Sequence, residues 1–305
     1  MLNPIHVEAT SLPDVWFQTV YQCIHHGRDF IIDRGSYAGD KRLEFDYFTA
    51  HIKTPGFGSE TDINLMLPHL SEGCNIPNPV EDGYLDNYLS SYLMGSELSW
   101  KESYTYGQRM TKYPIPFEWF NLRSSEGNIN TREKPWKEIL IQDKEFWLDR
   151  NIIVHEGTPM NTHTFYVNQI ELLIQTYKNK GFRNNQMVLQ VAHPSDMLLQ
   201  DPPCLREIDT RIQKEADGKT YLHFFPEFRS WDLWGGFPAN LGGIELLKQY
   251  IAGEISTPEN PVYNGSMIVR SKGLHLYKYV WELAEAISHK SIDEARECIL
   301  TNLEN

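Results

Sequence analysis

The chain has 305 residues, 41% of them hydrophobic and 12% aromatic, which is ample for a sizeable core in one large domain or two ordinary ones. Charged residues make up 23%, which argues against wholesale disorder; the formal net charge of -13 opposes bulk binding of DNA or RNA, yet leaves room for a local arginine pocket around one anionic ligand. Four scattered cysteines (Cys23, Cys74, Cys204, Cys298) form no CxxC pair and are too few for a disulfide scaffold, and no metal site is expected.

The opening residues, MLNPIHVEATSLPDVW, carry neither a basic nor an apolar leader region. No run approaches the ~18 apolar residues of a membrane span, so a cytoplasmic protein without a membrane partner is expected. Phe45–Ile52 alternates weakly and suits a strand. The stretch from Gly56 to Asp86 is rich in Pro, Gly, Asn and acidic residues and reads as irregular connection; Ser124 to Lys137 reads as an exposed loop. Val167, Ile170, Leu173, Ile174 and Tyr177 recur at helical spacing, with Gly181 where a helix stops. Met187–Val191, Tyr221–Phe225 and Met267–Val269 suit strands. Ile244, Leu247 and Ile251 mark a helix following Asn240, and Val280, Leu283, Ala284 and Ile287 a late one. Strands and helices interleave without regular βαβ spacing, so the expectation is an α+β fold, a single domain over residues 1–305 with insertions near 56–86 and 124–137.

Most residues with chemical character lie in the last two-fifths of the chain. Asp201-Pro202-Pro203-Cys204 sets a thiol after two rigid residues, where it can begin a strand and face a cleft. A lone Cys is usually a small core residue, and alone this one reads that way. Phe228-Arg229-Ser230-Trp231-Asp232-Leu233-Trp234-Gly235-Gly236-Phe237-Pro238-Ala239-Asn240 interleaves a guanidinium, a hydroxyl, a carboxylate and an amide with aromatics and glycines. These groups suit an anionic, hydrogen-bonding ligand, and they equally suit a turn with a surface ion pair. Gly273-Leu274-His275-Leu276-Tyr277 places His275 and Tyr277 on one face of a strand, a weak signal by itself.

In this order, PPCLREID, FRSWDLWGGFPAN and LHLYKY resemble the thymidylate synthase family, whose pattern runs from a PPC or APC nucleophile segment through RSxD and a proline-containing segment ending in Asn to HxY. Asn240 lies eleven residues after Arg229, as that pattern requires. GxFPAN, with Tyr104-Thr105-Tyr106-Gly107 upstream, looks closer to the shorter archaeal-type branch, and the match spans Asn168 to Tyr279. The resemblance implies the thymidylate synthase fold, a mixed sheet with helices packed on one side. It implies that Cys204 adds to C6 of a pyrimidine nucleoside monophosphate so that C5 can attack a one-carbon unit carried by 5,10-methylenetetrahydrofolate. It implies phosphate contacts from Arg229, Ser230, Arg34 and Arg183, paired hydrogen bonds from Asn240 to the base, and sugar contacts from His275 and Tyr277. Asp232 and Gly236 would meet the folate, Tyr106 would line the cleft, and Arg229 would also supply the cation a thiolate needs.

The chain departs from the family at several points. Only Arg183 is cationic where the family has an arginine pair that reaches the partner subunit's site, Asp209 replaces a glutamine, and Gly273 replaces a common aspartate. The end, Leu303-Glu304-Asn305, is not the family's apolar tail, and Glu81, Glu97 and Glu102 are all possible catalytic glutamates. Three functions follow: methylation of dUMP to dTMP, 5-hydroxymethylation of dUMP, dCMP or CMP, and non-catalytic nucleotide binding. Asn240 favours a uracil base, retention of Cys204 favours catalysis, and the family's habit implies a homodimer.

Overall fold

The computed structural model describes residues 1–33, 37–70, 76–98, 104–115, 123–124, 127–128, 152–155, 164–183 and 185–289. Arg34, Glu102, Cys74, Cys298, most of the 124–137 loop and the terminal Leu303-Glu304-Asn305 lie outside the described residues.

In chain order the strands are β1 (Pro4–Ala9), β2 (Arg28–Ile31), β3 (Lys41–Glu44), β4 (Tyr47–Ile52), β5 (Tyr113–Ile115), β6 (Arg123–Ser124), β7 (Gly127–Asn128), β8 (Ile152–His155), β9 (Thr164–Val167), β10 (Val188–Gln190), β11 (Leu205–Lys214), β12 (Thr220–Phe228), β13 (Trp231–Asp232), β14 (Val262–Ser271) and β15 (Leu274–Tyr277). The α-helices are α1 (Leu12–His26), α2 (Tyr84–Asn87), α3 (Tyr106–Thr111), α4 (Gln169–Lys180), α5 (Gly236–Ile255) and α6 (Trp281–Ser288); α2 runs on into a π-helical turn over Tyr88–Leu93.

The main sheet has the order β1-β4-β14-β12-β11-β10 and is mixed: β1 with β4 and β14 with β12 are parallel, the other pairs antiparallel. A second sheet, β13-β15-β3-β2, carries the His275 strand. This is the α+β class, with α1, α5 and α4 side by side over the main sheet, α1 against β1 and α5 against β14 and β12. Strand alternation produces the arrangement. Leu222, Phe224 and Phe228 of β12 and Met267 and Val269 of β14 are buried, while Tyr263, Ile268 and Arg270 of β14 stay exposed.

Each helix has a local cause. Ser11 Oγ accepts the Asp14 amide at the start of α1, and Leu12, Val15, Trp16, Thr19, Val20, Cys23 and Ile24 form its buried stripe. Trp16 Nε1 donates to the carbonyls of Leu233 and Trp234, both at 3.0 Å, tying α1 to the segment that follows Asp232. Asn168 caps α4 and Gly181 ends it with φ 85°, so this helix follows the sequence pattern except at Val167, which belongs to β9 because the cap falls after it. The central helix α5 is buried on most sides. Its Lys248 and Glu245, both fully buried, pair at 2.8 Å, and Lys248 Nζ also donates to Gly265 O of β14.

Two expectations are corrected. The late central helix begins at Gly236, not after Asn240, because the Asp232 carboxylate accepts the amides of Trp234, Gly235 and Gly236 and so starts the helix earlier, with Pro238 in its first turn. Strands β12 and β14 extend well beyond Tyr221–Phe225 and Met267–Val269, because ladder pairing continues where the apolar run has ended. No helix among the described residues is long and apolar enough to cross a membrane.

Candidate active site

Cys204 stands one residue ahead of β11, not within it, at the end of the Asp201-Pro202-Pro203 turn. The side chain of Arg229 wraps this turn. Its Nε donates to Pro203 O at 3.1 Å, its Nη2 to Pro202 O and to Asp201 Oδ1, and its backbone N–H to Cys204 O at 2.9 Å. From the other side Arg206 Nη1 donates to Pro203 O and to the buried Asp196, each at 3.2 Å, and Arg109 pairs with the same carboxylate at 2.9 Å. A β-bulge between Leu205 and Glu207 interrupts the ladder at Arg206, the kind of irregularity that re-aims a side chain beside a site. Arg206 lies inside PPCLREID but is given no role there, whereas Asp196 and Arg109 belong to no motif and only the structure brings them to the cysteine turn.

Burial pushes the Cys204 thiol above the ordinary cysteine range. Arg229 and Arg206 pull it down, Asp201 pushes it up, and the net direction is upward. The two guanidinium groups thus favour the thiolate but do not by themselves leave one. Tyr88, Tyr104, Tyr106 and Tyr277 are all near enough to sense Cys204 electrostatically, and burial raises each of them, so all four are protonated phenols at neutral pH. Tyr106 is 6% exposed and its hydroxyl accepts the Leu205 amide at 3.3 Å, which sets it in the wall behind the cysteine.

Arg229 and Ser230 also line an open cleft of about 580 Å³ with Arg42, Lys272, Asp33, Glu44 and Asp201. Gly273 lines its floor, where a Cβ would come within 3.1 Å of Arg229 O; any larger residue there, including the family's aspartate, would press on the Arg229–Ser230 backbone. The Gly273 carbonyl accepts both the Trp231 amide at 3.0 Å and His275 Nδ1 at 2.8 Å. That second bond makes Nδ1 the protonated nitrogen and leaves Nε2 a bare acceptor, buried and without a partner among the described residues. Burial lowers His275 to about 4, so it stays neutral. The Tyr277 ring meets it edge-on at 4.6 Å.

Asn240, one turn into α5, is held at both ends of its amide: Trp231 Nε1 donates to Oδ1 at 2.9 Å, and Nδ2 donates to Tyr88 OH at 2.6 Å. Tyr88 approaches this closely because Gly243 lacks a Cβ, which would overlap the Tyr88 ring. Asp232 has its Oδ2 filled by two amides and its Oδ1 by one, so one acceptor position remains open. Burial outweighs these three bonds and raises its carboxyl.

Other residues singled out in the sequence lie elsewhere. Arg183 is exposed and lines a different cleft of about 560 Å³, with Arg211 and Lys214, that shares no lining residue with the first. Asp209 is exposed and bonds the amide of Thr210. Glu81 and Glu97 are both exposed.

No family model matches the chain. Curated proteins do. It is 31% identical over 121 residues to "Putative thymidylate synthase" of Methanosarcina acetivorans and 29% identical over 121 residues to the protein of the same name from Methanosarcina barkeri. Each match covers 40% of this chain and 51% of the relative, so the chain spans about half the length of these curated relatives. The like-named protein of Methanothermobacter thermautotrophicus is 21% identical over 287 residues, 92% of this chain and 97% of that one. The resemblance carried by Cys204, Arg229, Asn240 and His275 is thus matched by overall sequence similarity to archaeal proteins that bear the thymidylate synthase name.

Proposed function

We propose that the protein transfers a folate-borne one-carbon unit to C5 of a pyrimidine nucleoside monophosphate through addition of Cys204 to C6, with conversion of dUMP to dTMP as the reaction. The observation that carries this is the double use of Arg229, which clamps the Cys204 turn and lines the adjoining cleft with Ser230. A nucleotide phosphate held by Arg229 and Ser230 leaves its base within the aromatic wall around Cys204. The sugar hydroxyl donates to the empty Nε2 of His275, beside Tyr277.

In the reaction the Cys204 thiol loses its proton to solvent, and the sulfur forms a bond to C6. The displaced electron pair of the C5–C6 double bond moves through C5 and C4 towards O4, where the unused Nδ2–H of Asn240 meets the developing charge. C5 is then nucleophilic; once it carries the one-carbon unit it gives up its hydrogen as a proton to solvent, and expulsion of the sulfur from C6 as a thiolate restores the double bond and the enzyme. The open acceptor position on Asp232, beside Gly236, fits an N–H of a pterin, so 5,10-methylenetetrahydrofolate would be held there and would supply both the carbon and the hydride. Arg34 and Arg183 complete the phosphate site in this reading, Arg183 from a second copy of the chain in a homodimer.

The test is to incubate the protein with dUMP, dCMP or CMP and methylenetetrahydrofolate and to weigh the product. A methyl product from dUMP is expected, and a hydroxymethyl product would move the assignment to the hydroxymethylases. Absence of any modified nucleotide, with no tritium released from C5, would overturn the enzymatic reading.

A further inference from the structure

We infer that Trp231 is a specificity-determining positioning residue: its indole N–H fixes the Asn240 amide in the one orientation that matches uracil and refuses cytosine. This rests on the pyrimidine-nucleotide reading above and adds to it the group that makes the choice.

The Trp231 ring is immobile. It is 2% exposed, lies flat on Phe228 with centroids 3.6 Å apart and planes within 8°, and packs against Phe237 at 4.5 Å. Its Nε1 therefore has one direction, and that direction ends on Asn240 Oδ1 at 2.9 Å. An indole N–H only donates, so the end of the amide that faces it must be the oxygen. Tyr88 OH, which takes the other end at 2.6 Å, imposes no such condition, because a hydroxyl donates or accepts equally well. Among the described residues Trp231 alone decides the orientation of Asn240.

With these two bonds made, the amide keeps one acceptor position on Oδ1 and one donor on Nδ2. Uracil offers a donor at N3 and an acceptor at O4, whereas cytosine offers an acceptor at N3 and a donor at N4. Both bases present one donor and one acceptor, so the inventory of groups does not separate them. The order of the two along the edge does. Attack of Cys204 at C6 fixes how the ring lies, so an amide held in one orientation pairs with one base only; with Nδ2–H on O4, as in the reaction proposed above, that base is uracil. To take cytosine the amide must turn over and set its NH2 against the Trp231 N–H, two donors face to face in a buried place. A buried donor left without a partner corresponds to about a tenfold to hundredfold loss of affinity.

The experiment is calorimetric titration of the full chain with dUMP and with dCMP, for the wild type and for Trp231→Phe, which keeps the stacking ring and removes the N–H. The expected result is a dUMP preference that falls by at least about tenfold in the variant, chiefly through tighter dCMP binding. A merely structural role would weaken both nucleotides alike. An unchanged preference overturns the assignment, and so does a collapse of preference in Tyr88→Phe while Trp231→Phe retains it. Should Trp231→Phe fail to fold, benzothienylalanine at position 231 replaces the N–H by sulfur in the same shape and gives the same readout. Wild-type protein that binds neither nucleotide would sink the underlying pyrimidine reading, an outcome distinct from a wild type that prefers dUMP and a variant that keeps that preference.

Discussion

A buried thiol gains nothing from nearby cations until their pull exceeds the cost of holding a charge out of water, and at Cys204 it does not: burial outweighs Arg229 and Arg206. Alkylation of Cys204 by iodoacetamide should therefore rise with pH through a midpoint above the ~8.5 of a free cysteine. Arg229→Met should move that midpoint further up, and a midpoint at or below the free value would contradict the burial argument. Cys204→Ser should cut C5 tritium release by at least about a thousandfold, since an alkoxide is far less available than a thiolate. His275 gives a second residue-scale test. Its folded value of about 4 lies below the ordinary histidine range, so between those values the unfolded chain binds more protons. Its contribution to stability is complete above ~6.5 and is lost as pH falls through about 4, an effect on the order of 3 kcal/mol. Urea midpoints of wild type and His275→Gln should converge as pH drops from 7 to 4, and parallel curves would show that His275 is not buried neutral.

At the scale of elements, the sequence was most informative where one local rule governed. Asn168 and Gly181 bound α4 by capping, and the period of Ile170, Leu173, Ile174 and Tyr177 marks its buried face. The start of α5 is not legible locally because its N-cap is Gly235 and the acceptor of its first amides is Asp232, whose carboxylate the sequence also offers to a ligand. Tyr88 is invisible as a site residue because it owes its place to a long-range contact with Asn240, and Asp196 and Arg206 because nothing in the local pattern shows that they pair with each other behind the cysteine turn. The Glu245–Lys248 pair was equally hidden, because an i,i+3 pair of opposite charges on a helix ordinarily reads as solvated. Fully buried, it has a different consequence. Lys248→Met leaves Glu245 charged and unpaired in the core and should cost about 3–5 kcal/mol. The double variant Glu245→Leu/Lys248→Met should recover much of that loss. Chemical denaturation of both variants decides it, and a double variant less stable than the single would show that the pair contributes net stability.

The whole molecule presents a sheet with two unlike faces. One packs on α1, α5 and α4; the other carries Tyr263 and Ile268, each 41% exposed, among half-buried Tyr221 and His223. One-sided sheets of this kind are stable as they stand, but an apolar exposed face invites a partner. The acidic chain also concentrates Arg183, Arg211 and Lys214 around a cleft whose lining contains no acid and which is separate from the one beside Cys204. Arg183 is not among the residues that line the cleft with Arg229 and Ser230. In the homodimer proposed above the same residue would serve the partner's site, which would tie function and assembly to one arginine. Sedimentation should show a dimer, and Ile268→Glu should shift it towards monomer with loss of activity. The sharper measurement is complementation. Arg183→Ala should raise the nucleotide KM about tenfold, the loss of one charge-assisted phosphate contact, and Cys204→Ser should be inactive. A mixture of the two, dissociated and reassociated, should exceed the sum of the separate activities at low nucleotide, because mixed dimers pair an intact Cys204 with an intact Arg183 from the other chain. Activities that merely add would place Arg183 outside the site of either chain.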